Sequence, residues 1–328
     1  MSEKMSEVYE AYDMEILGAV RGRGSMILKT DRGIRQISPF DGSEERLEQE
    51  REFKENLYET GFHHIDCCVP NREGELITCD RYGNPYVMRE YFEGRECNSG
   101  SICDLNQAAA NLAVFHIRGR ELYAKEGRTY AYREPGNFRR KTQEMKKIRS
   151  FISKRPTKND FELLYIEAYD AFYRQAIDCQ AMMDACDRTN IAGHIGYCHG
   201  AYNYHSVLFC GGYLATVNFD RFHVGYQLID LYQFIRKVME KNNYNFDMAV
   251  KIIEEYDRIL PLTREDYRYI YILYSYPEKF WKVSNRYMNS RKCWISPANL
   301  EKLSKLITDE QEKQKFLSDF CNHYGFTS

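Results

Sequence analysis

The densest group of chemically capable side chains lies between His194 and His205, where His194, Cys198, His199 and His205 fall within twelve residues. Imidazoles and a thiol at that density are candidates for a transition-metal site or a Cys–His nucleophile pair. The spacing favours neither. The three histidines do not follow the i, i+4 helical pattern of zinc enzymes, and Cys198 and His199, adjacent on a strand, point to opposite faces. Further along, Asn218 and Asp220 stand two apart. On an extended strand such residues face one side, so Asp220 is a candidate ligand for a hard cation; the other reading is that it caps or turns the chain after the strand. Near the C-terminus Phe280, Trp281 and Tyr287 form an apolar stripe beside Arg286, Arg291 and Lys292. It reads as the buried face of a core helix with a solvated edge, the alternative being a docking surface or anion site.

The elements that position these groups belong to an ordinary globular chain. Its 328 residues carry 46 Lys+Arg against 48 Asp+Glu, a net charge of −2, with 43% hydrophobic and 29% charged residues. That balance excludes a globally basic nucleic-acid binder, an acidic tail and a disordered chain. No apolar run approaches the roughly 18 residues of a membrane helix, and the acidic N-terminus does not read as a secretory signal. Synthesis in the cytosol, with no membrane or nucleic-acid partner, is expected. The eleven cysteines form no C-x-x-C, which points to reduced thiols. The 27 tyrosines beside two tryptophans suit half-buried surfaces and interfaces.

Periodicity divides the chain near residue 95. Short strands are expected at Glu15–Gly18, Met26–Lys29, Ile34–Ile37, Leu76–Cys79 and Tyr86–Tyr91, with Asp31-Arg32-Gly33 as a hairpin turn. Ser43, followed by Glu44 and Glu45, caps a helix running to about Glu59, before Gly61. Beyond residue 100 helices dominate: Leu105–Ile117; Arg139–Lys154, whose basic run reads as a solvated face; Phe161–Met183; and the region from Asp230 onward, broken by Pro261, Pro277 and Pro297. A strand–loop–strand insert occupies residues 195–220. The fold class is α+β, with a small β-rich N-terminal lobe (1–95) and a larger helical lobe (96–328): a protein-kinase-like, two-lobed outline.

Cys198-His199-Gly200-Ala201-Tyr202-Asn203-Tyr204-His205-Ser206, followed by Val217-Asn218-Phe219-Asp220, resembles the catalytic loop and metal-binding strand of aminoglycoside and choline phosphotransferases. There the pattern is H-G-D-x-x-x-x-N and then I-D-F/W. The resemblance implies an Asp that orients the substrate hydroxyl and an Asn and second Asp that hold Mg²⁺ against ATP. It also implies that His199 packs beneath its loop as a structural residue. This chain departs at each chemical position, with Ala201 for the catalytic Asp, Ser206 for the Asn and Asn218 for the metal-strand Asp. Ala has no acceptor, so no catalytic residue is expected among His199, Ala201, Ser206, Asn218 and Asp220. Asp220 holds a metal only if the protein is active. Gly22 and Gly24 in Arg21-Gly22-Arg23-Gly24-Ser25 read equally as a phosphate-covering loop or an ordinary hairpin. Ser38 falls at the position of the third-strand Lys, so the nucleotide cleft marked by Gly22, Gly24 and Ser38 is degenerate. Without that Lys, Glu48, Glu50 and Glu52 on the next helix read as surface charges.

Tyr276-Pro277-Glu278-Lys279-Phe280-Trp281-Lys282, Asn289 to Ser296 (NSRKCWIS), Asp230 to Met239, Tyr86 to Cys97 and Leu112 to His116 are similar to the CotS family of spore coat proteins from endospore-forming bacteria. The resemblance covers nearly the whole chain. It implies a spore-coat protein made in the mother-cell cytosol, with other coat proteins as partners. Combined with the lost positions, it implies an inactive structural or scaffolding pseudokinase with no cofactor. The alternative is a small-molecule phosphotransferase using ATP and Mg²⁺ through a rearranged site.

Overall fold

Alternating apolar residues in the first ninety positions build one antiparallel sheet in a computed structural model that describes residues 3–22, 24–127, 137–186, 192–290 and 297–326. Its strands are β1 (Ile16–Arg21), β2 (Met26–Thr30), β3 (Gly33–Pro39), β4 (Cys68–Val69), β5 (Ile77–Cys79) and β6 (Pro85–Glu90), in the order β1-β2-β3-β6-β4 with β5 also on β6. One face packs on helix α1 (Glu3–Glu10), burying Val8, Tyr9, Tyr12, Leu28, Ile37 and Met88 together. Sequence reading missed α1, β4 and also β7 (Arg95–Glu96), all too short to show a period.

Helix α2 (Glu44–Glu59) starts where expected, with the Ser43 side chain accepting from the Arg46 N–H, and it buries Leu47, Glu50, Phe53, Lys54 and Leu57. Helix α3 (Ile102–Glu126) outruns the expected Leu105–Ile117 because Ser101 caps its start and left-handed Gly127 ends it. The insert expected as strand–loop–strand over 195–220 supplies three strands, β8 (Ile195–Cys198), β9 (Val207–Cys210) and β10 (Tyr213–Thr216), and β11 (His223–Tyr226) follows beyond it, with a β10-β9-β7 sheet and a β8–β11 pair.

The remaining helices are α4 (Phe138–Ser153), α5 (Asp160–Asp184), α6 (Leu228–Met239), α7 (Phe246–Ile259), α8 (Arg264–Ser275), α9 (Glu278–Met288), α10 (Pro297–Thr308) and α11 (Glu310–Tyr324). Pro261, Pro277 and Pro297 each fall at a helix boundary, as their missing N–H requires. The aromatic stripe is core at two of its three positions. Phe280 stacks on Tyr165 and Phe172 with centroids 5.0 and 4.4 Å away, and Tyr287 on Phe161 at 4.1 Å. Trp281 is half-buried and donates to Glu144 at 2.7 Å. Arg286 is exposed, and Arg291 and Lys292 lie outside the described residues. Lys141 departs from the solvated face expected of α4: it is buried, with its ammonium 3.4 Å from Glu278 and 4.9 Å from the Trp281 ring centre.

The chain folds as two compact units, Met1–Arg128 with Gly196–Val224, and Thr129–Ile195 with Gly225–Ser328. Strands give way to helices near residue 95, yet α3 and most of the insert belong to the same unit as the sheet. Among the described residues no helix is long and apolar enough to cross a membrane, and ten cysteines are free thiols; Cys293 lies outside that set.

Candidate functional site

The candidate site lies within the first unit, and its centre is a cation that sequence reading passed over. Strand β3 carries Arg35, whose guanidinium bonds the carbonyls of Ile34 and Arg32 and so holds the preceding turn. Ser38 sits opposite Val87 of β6. The cation instead comes from α2. Lys54 is fully buried, and its ammonium donates to Glu50 Oε1 at 2.6 Å, to Asp66 Oδ1 at 2.8 Å and to the Asp66 carbonyl at 2.7 Å. Three protons meet three acceptors.

Glu50 is therefore not a surface charge. One turn before Lys54, it is 4% exposed and also receives Arg89 of β6 at 3.4 Å. Burial alone would raise the Glu50 carboxyl, but Lys54 and Arg89 hold it below its usual value. Burial would likewise lower the Lys54 ammonium, and Asp66 and Glu50 push it up instead. Glu48 pairs with Arg51 and Glu52 is exposed, as expected of solvated positions. The i, i+4 spacing of Glu50 and Lys54 beside Phe53 and Leu57 was the available signal. Spacing alone reads as a surface ion pair, and only the approach of Asp66 and Arg89 from other elements makes it a buried network.

The loop after β8 is locked by its own hydrogen bonds. His199 is fully buried, as expected; its Nδ1 accepts from the Ala201 N–H at 3.3 Å, which leaves Nε2 to donate to the Val217 carbonyl at 3.0 Å. Gly200 has φ +77°, and a Cβ there would lie 2.0 Å from the Arg221 carbonyl oxygen. Ser206 is turned inward: its hydroxyl donates to the Asn203 carbonyl at 2.8 Å and accepts from the Asn203 N–H at 3.0 Å. Tyr202 anchors the loop to α3, donating to the Ala108 carbonyl at 2.7 Å.

Asn218 and Asp220 do not share a strand face. Strand β10 ends at Thr216, and Asn218 takes a left-handed φ of +69°, which breaks the period-two geometry that the expectation relied on. The Asn218 N–H donates to Asp66 Oδ2 at 2.8 Å, so Asp66 joins this segment to Lys54. Asp220 opens a turn with its side chain 72% exposed, 3.7 Å from Arg89. Gly22 and Gly24 form a hairpin between β1 and β2, closed by a Gly22 N–H to Ser25 carbonyl bond of 2.9 Å, with Gly24 at φ +73°; Arg23 lies outside the described residues. The histidine cluster disperses: His194 pairs with Asp266 at 3.0 Å and His205 with Glu96 at 2.5 Å.

Mg²⁺ prefers carboxylate oxygens with a free lone pair directed at the ion. Both Asp66 oxygens are engaged by Lys54 and Asn218, and Glu50 by Lys54 and Arg89. Ala201 contributes a methyl group and the Ser206 hydroxyl faces its own loop. Ala201, Ser206 and Asn218 therefore supply no carboxylate where the phosphotransferase pattern places its catalytic and metal-holding groups, and Asp220 alone of the expected positions keeps an exposed one.

A family model described as "Spore coat putative kinase YutH" matches residues 5–320. The chain belongs to that family. Spore coat protein S of Bacillus subtilis (strain 168) is 29% identical over 97 residues, which span 29% of this chain and 28% of that protein. Among solved structures, an aminoglycoside phosphotransferase from Alicyclobacillus acidocaldarius superposes with a TM-score of 0.79 at 16% identity, covering 96% of this chain and 95% of its own. A spectinomycin phosphotransferase in complex with ADP and spectinomycin gives 0.65 at 11% identity, covering 95% and 97%. The choline kinase LicA from Streptococcus pneumoniae gives 0.50 at 14%, covering 94% and 96%. At these identities the likeness is one of fold: the protein has the two-lobed, protein-kinase-like α+β architecture of aminoglycoside phosphotransferases.

Proposed function

We propose that the protein serves the spore coat as a non-catalytic member of its family, a kinase-like fold kept for the surfaces it presents to other coat proteins. The observation that carries this reading is the Lys54 ammonium, enclosed by Glu50 and both Asp66 acceptors, with Arg89 on Glu50 and Asn218 on Asp66. These charges are matched by one another, so a metal or phosphate would have to break a buried ion network to reach them, at a cost of about 3–5 kcal/mol. Ala201 adds the absence of a group to orient a hydroxyl. On this reading the protein takes no ATP or Mg²⁺, is made in the mother-cell cytosol and is deposited in the coat.

A second reading, a small-molecule phosphotransferase with a rearranged site, draws on Asp220, which stays solvent-exposed beside Arg89. Melting temperature with ATP and GTP, each with and without Mg²⁺, separates the two, because binding to the native state raises stability by mass action. The first reading expects no shift at millimolar nucleotide, and no labelled-phosphate transfer above an Asp220→Ala control. A Mg²⁺-dependent shift together with Asp220-dependent transfer would establish the second. The triple variant Ala201→Asp, Ser206→Asn, Asn218→Asp is expected to remain without nucleotide binding, since it leaves the Lys54 network in place.

A further inference from the structure

A cavity within the second unit, between α5, α6, α8, α9, α10 and α11, encloses about 480 Å³ of unfilled space, part of it open to solvent. Its inner portion has room for about two to three waters, the size of a carboxylate or phosphate group. Seven charged residues line it, and the carboxylates among them already have donors. Glu240 receives Arg236 at 2.6 Å and Lys279 at 3.7 Å. Glu278 receives Lys282 at 2.8 Å, Lys141 at 3.4 Å and the Tyr232 hydroxyl at 3.3 Å. Asp309 receives Lys305 at 3.0 Å, and Glu310 receives Gln175 at 2.9 Å and Gln314 at 2.6 Å.

The groups left over are donors. The Tyr274 hydroxyl is buried, its residue 2% exposed, and has no hydrogen-bond partner among the described residues. The Arg236 Nε–H is also buried without an acceptor. Lys313, on the same wall, bonds the Asp309 carbonyl through its backbone N–H, and its ammonium makes no hydrogen bond or ion pair among the described residues. A buried polar group without a partner is costly, so a cavity in which each carboxylate already holds a donor, and whose buried unpartnered groups are the Tyr274 hydroxyl and Arg236 Nε–H, is built to receive an acceptor. We propose that this cavity binds a compact oxyanion group, a carboxylate or a phosphate, through the Tyr274 hydroxyl, Arg236 Nε and Lys313. Burial lowers the Lys313 ammonium, with Glu310 only partly opposing it, and an anion seated beside it would push it back up. The site lies wholly outside the Lys54 network, so it stands or falls independently of the catalytic question.

The test is calorimetric titration of the full-length protein with inorganic phosphate and, separately, sodium acetate, against sodium chloride at matched ionic strength. Saturable binding of phosphate or acetate is expected, and which of the two binds identifies the oxyanion. Tyr274→Phe and Lys313→Gln should each weaken it at least about tenfold, the effect of one lost charge-assisted hydrogen bond. Tyr274→Phe deletes an unsatisfied hydroxyl, so its ligand-free melting temperature should not fall. A response no larger than that to chloride would overturn the proposal. So would binding that both variants retain.

Discussion

Lys54 is the residue at which the loss of one charge should be felt most. Lys54→Met removes the ion-pair partner of Asp66 and leaves Glu50 with Arg89 alone, so a loss of about 3–5 kcal/mol is expected in urea unfolding. Lys54→Met combined with Glu50→Gln should lose less than the two single changes added together, because the second removes a charge that the first stranded. The same groups set the acid limit of stability. Lys54 and Arg89 hold Glu50 below its ordinary 4.5, and Lys141 and Lys282 hold Glu278 at about 2 against the pull of burial. A depressed folded-state pKa contributes stability that is complete above the unfolded value and disappears as pH falls through the folded one. Urea midpoints at pH 7, 5, 4 and 3 should therefore be level down to about pH 4.5 and then drop. The drop should be shallower in a Glu278→Gln variant, which has no such charge to lose. The charged residues of α2 were legible in sequence as a helix face. That Glu50 and Lys54 belong to the interior was not, because their partners arrive from the loop before β4 (Asp66, twelve residues from Lys54) and from β6 (Arg89, thirty-nine residues from Glu50).

At the level of elements, two glycines with left-handed backbones separate local strain from tertiary crowding. Gly24, in the β1–β2 hairpin, has φ +73° and open space where a Cβ would go. Gly24→Ala should cost about 1–2 kcal/mol, the penalty of placing an L-residue in that region. Gly200, in the loop after β8, has φ +77° and a backbone oxygen of Arg221 2.0 Å from the same point. That carbonyl cannot move without displacing the Asn218–Asp220 segment, so Gly200→Ala should exceed the first substitution by several kcal/mol or fail to yield folded protein. Equal melting temperatures for the two variants would refute this account. Both glycines stand out in the sequence as turn residues. Only the position of Arg221 distinguishes them, and nothing in the local pattern foretells which distant segment a loop will be pressed against.

Over the whole molecule, thiol reactivity reports which surfaces are closed. Cys79 and Cys103 are exposed, whereas burial pushes Cys67 and Cys97 up to about 12 and Cys68 to about 11. Because the thiolate is the reactive form, iodoacetamide at pH 8 should label Cys79 and Cys103 of the native protein well before Cys67, Cys68 and Cys97. Peptide mapping that finds Cys67 or Cys68 modified at the same rate would show that the unit containing the Lys54 network opens readily. The succession of the longer strands and helices, the capped start of α2, the helix breaks at proline and the degenerate loop at Ala201, Ser206 and Asn218 were all determined by the sequence, since each depends on residues within a few positions of one another. The YutH-type family match agrees with the coat-protein resemblance read from those motifs. The tertiary structure decided what the losses at those positions are accompanied by: a Lys54 ammonium closed over two carboxylates, an Asn218 turned left-handed so that Asp220 faces solvent, and a cavity in which the buried Tyr274 hydroxyl and Arg236 Nε–H have no acceptor. Each of these depends on groups far apart in the chain meeting at hydrogen-bond distance, and a one-dimensional pattern does not contain that distance.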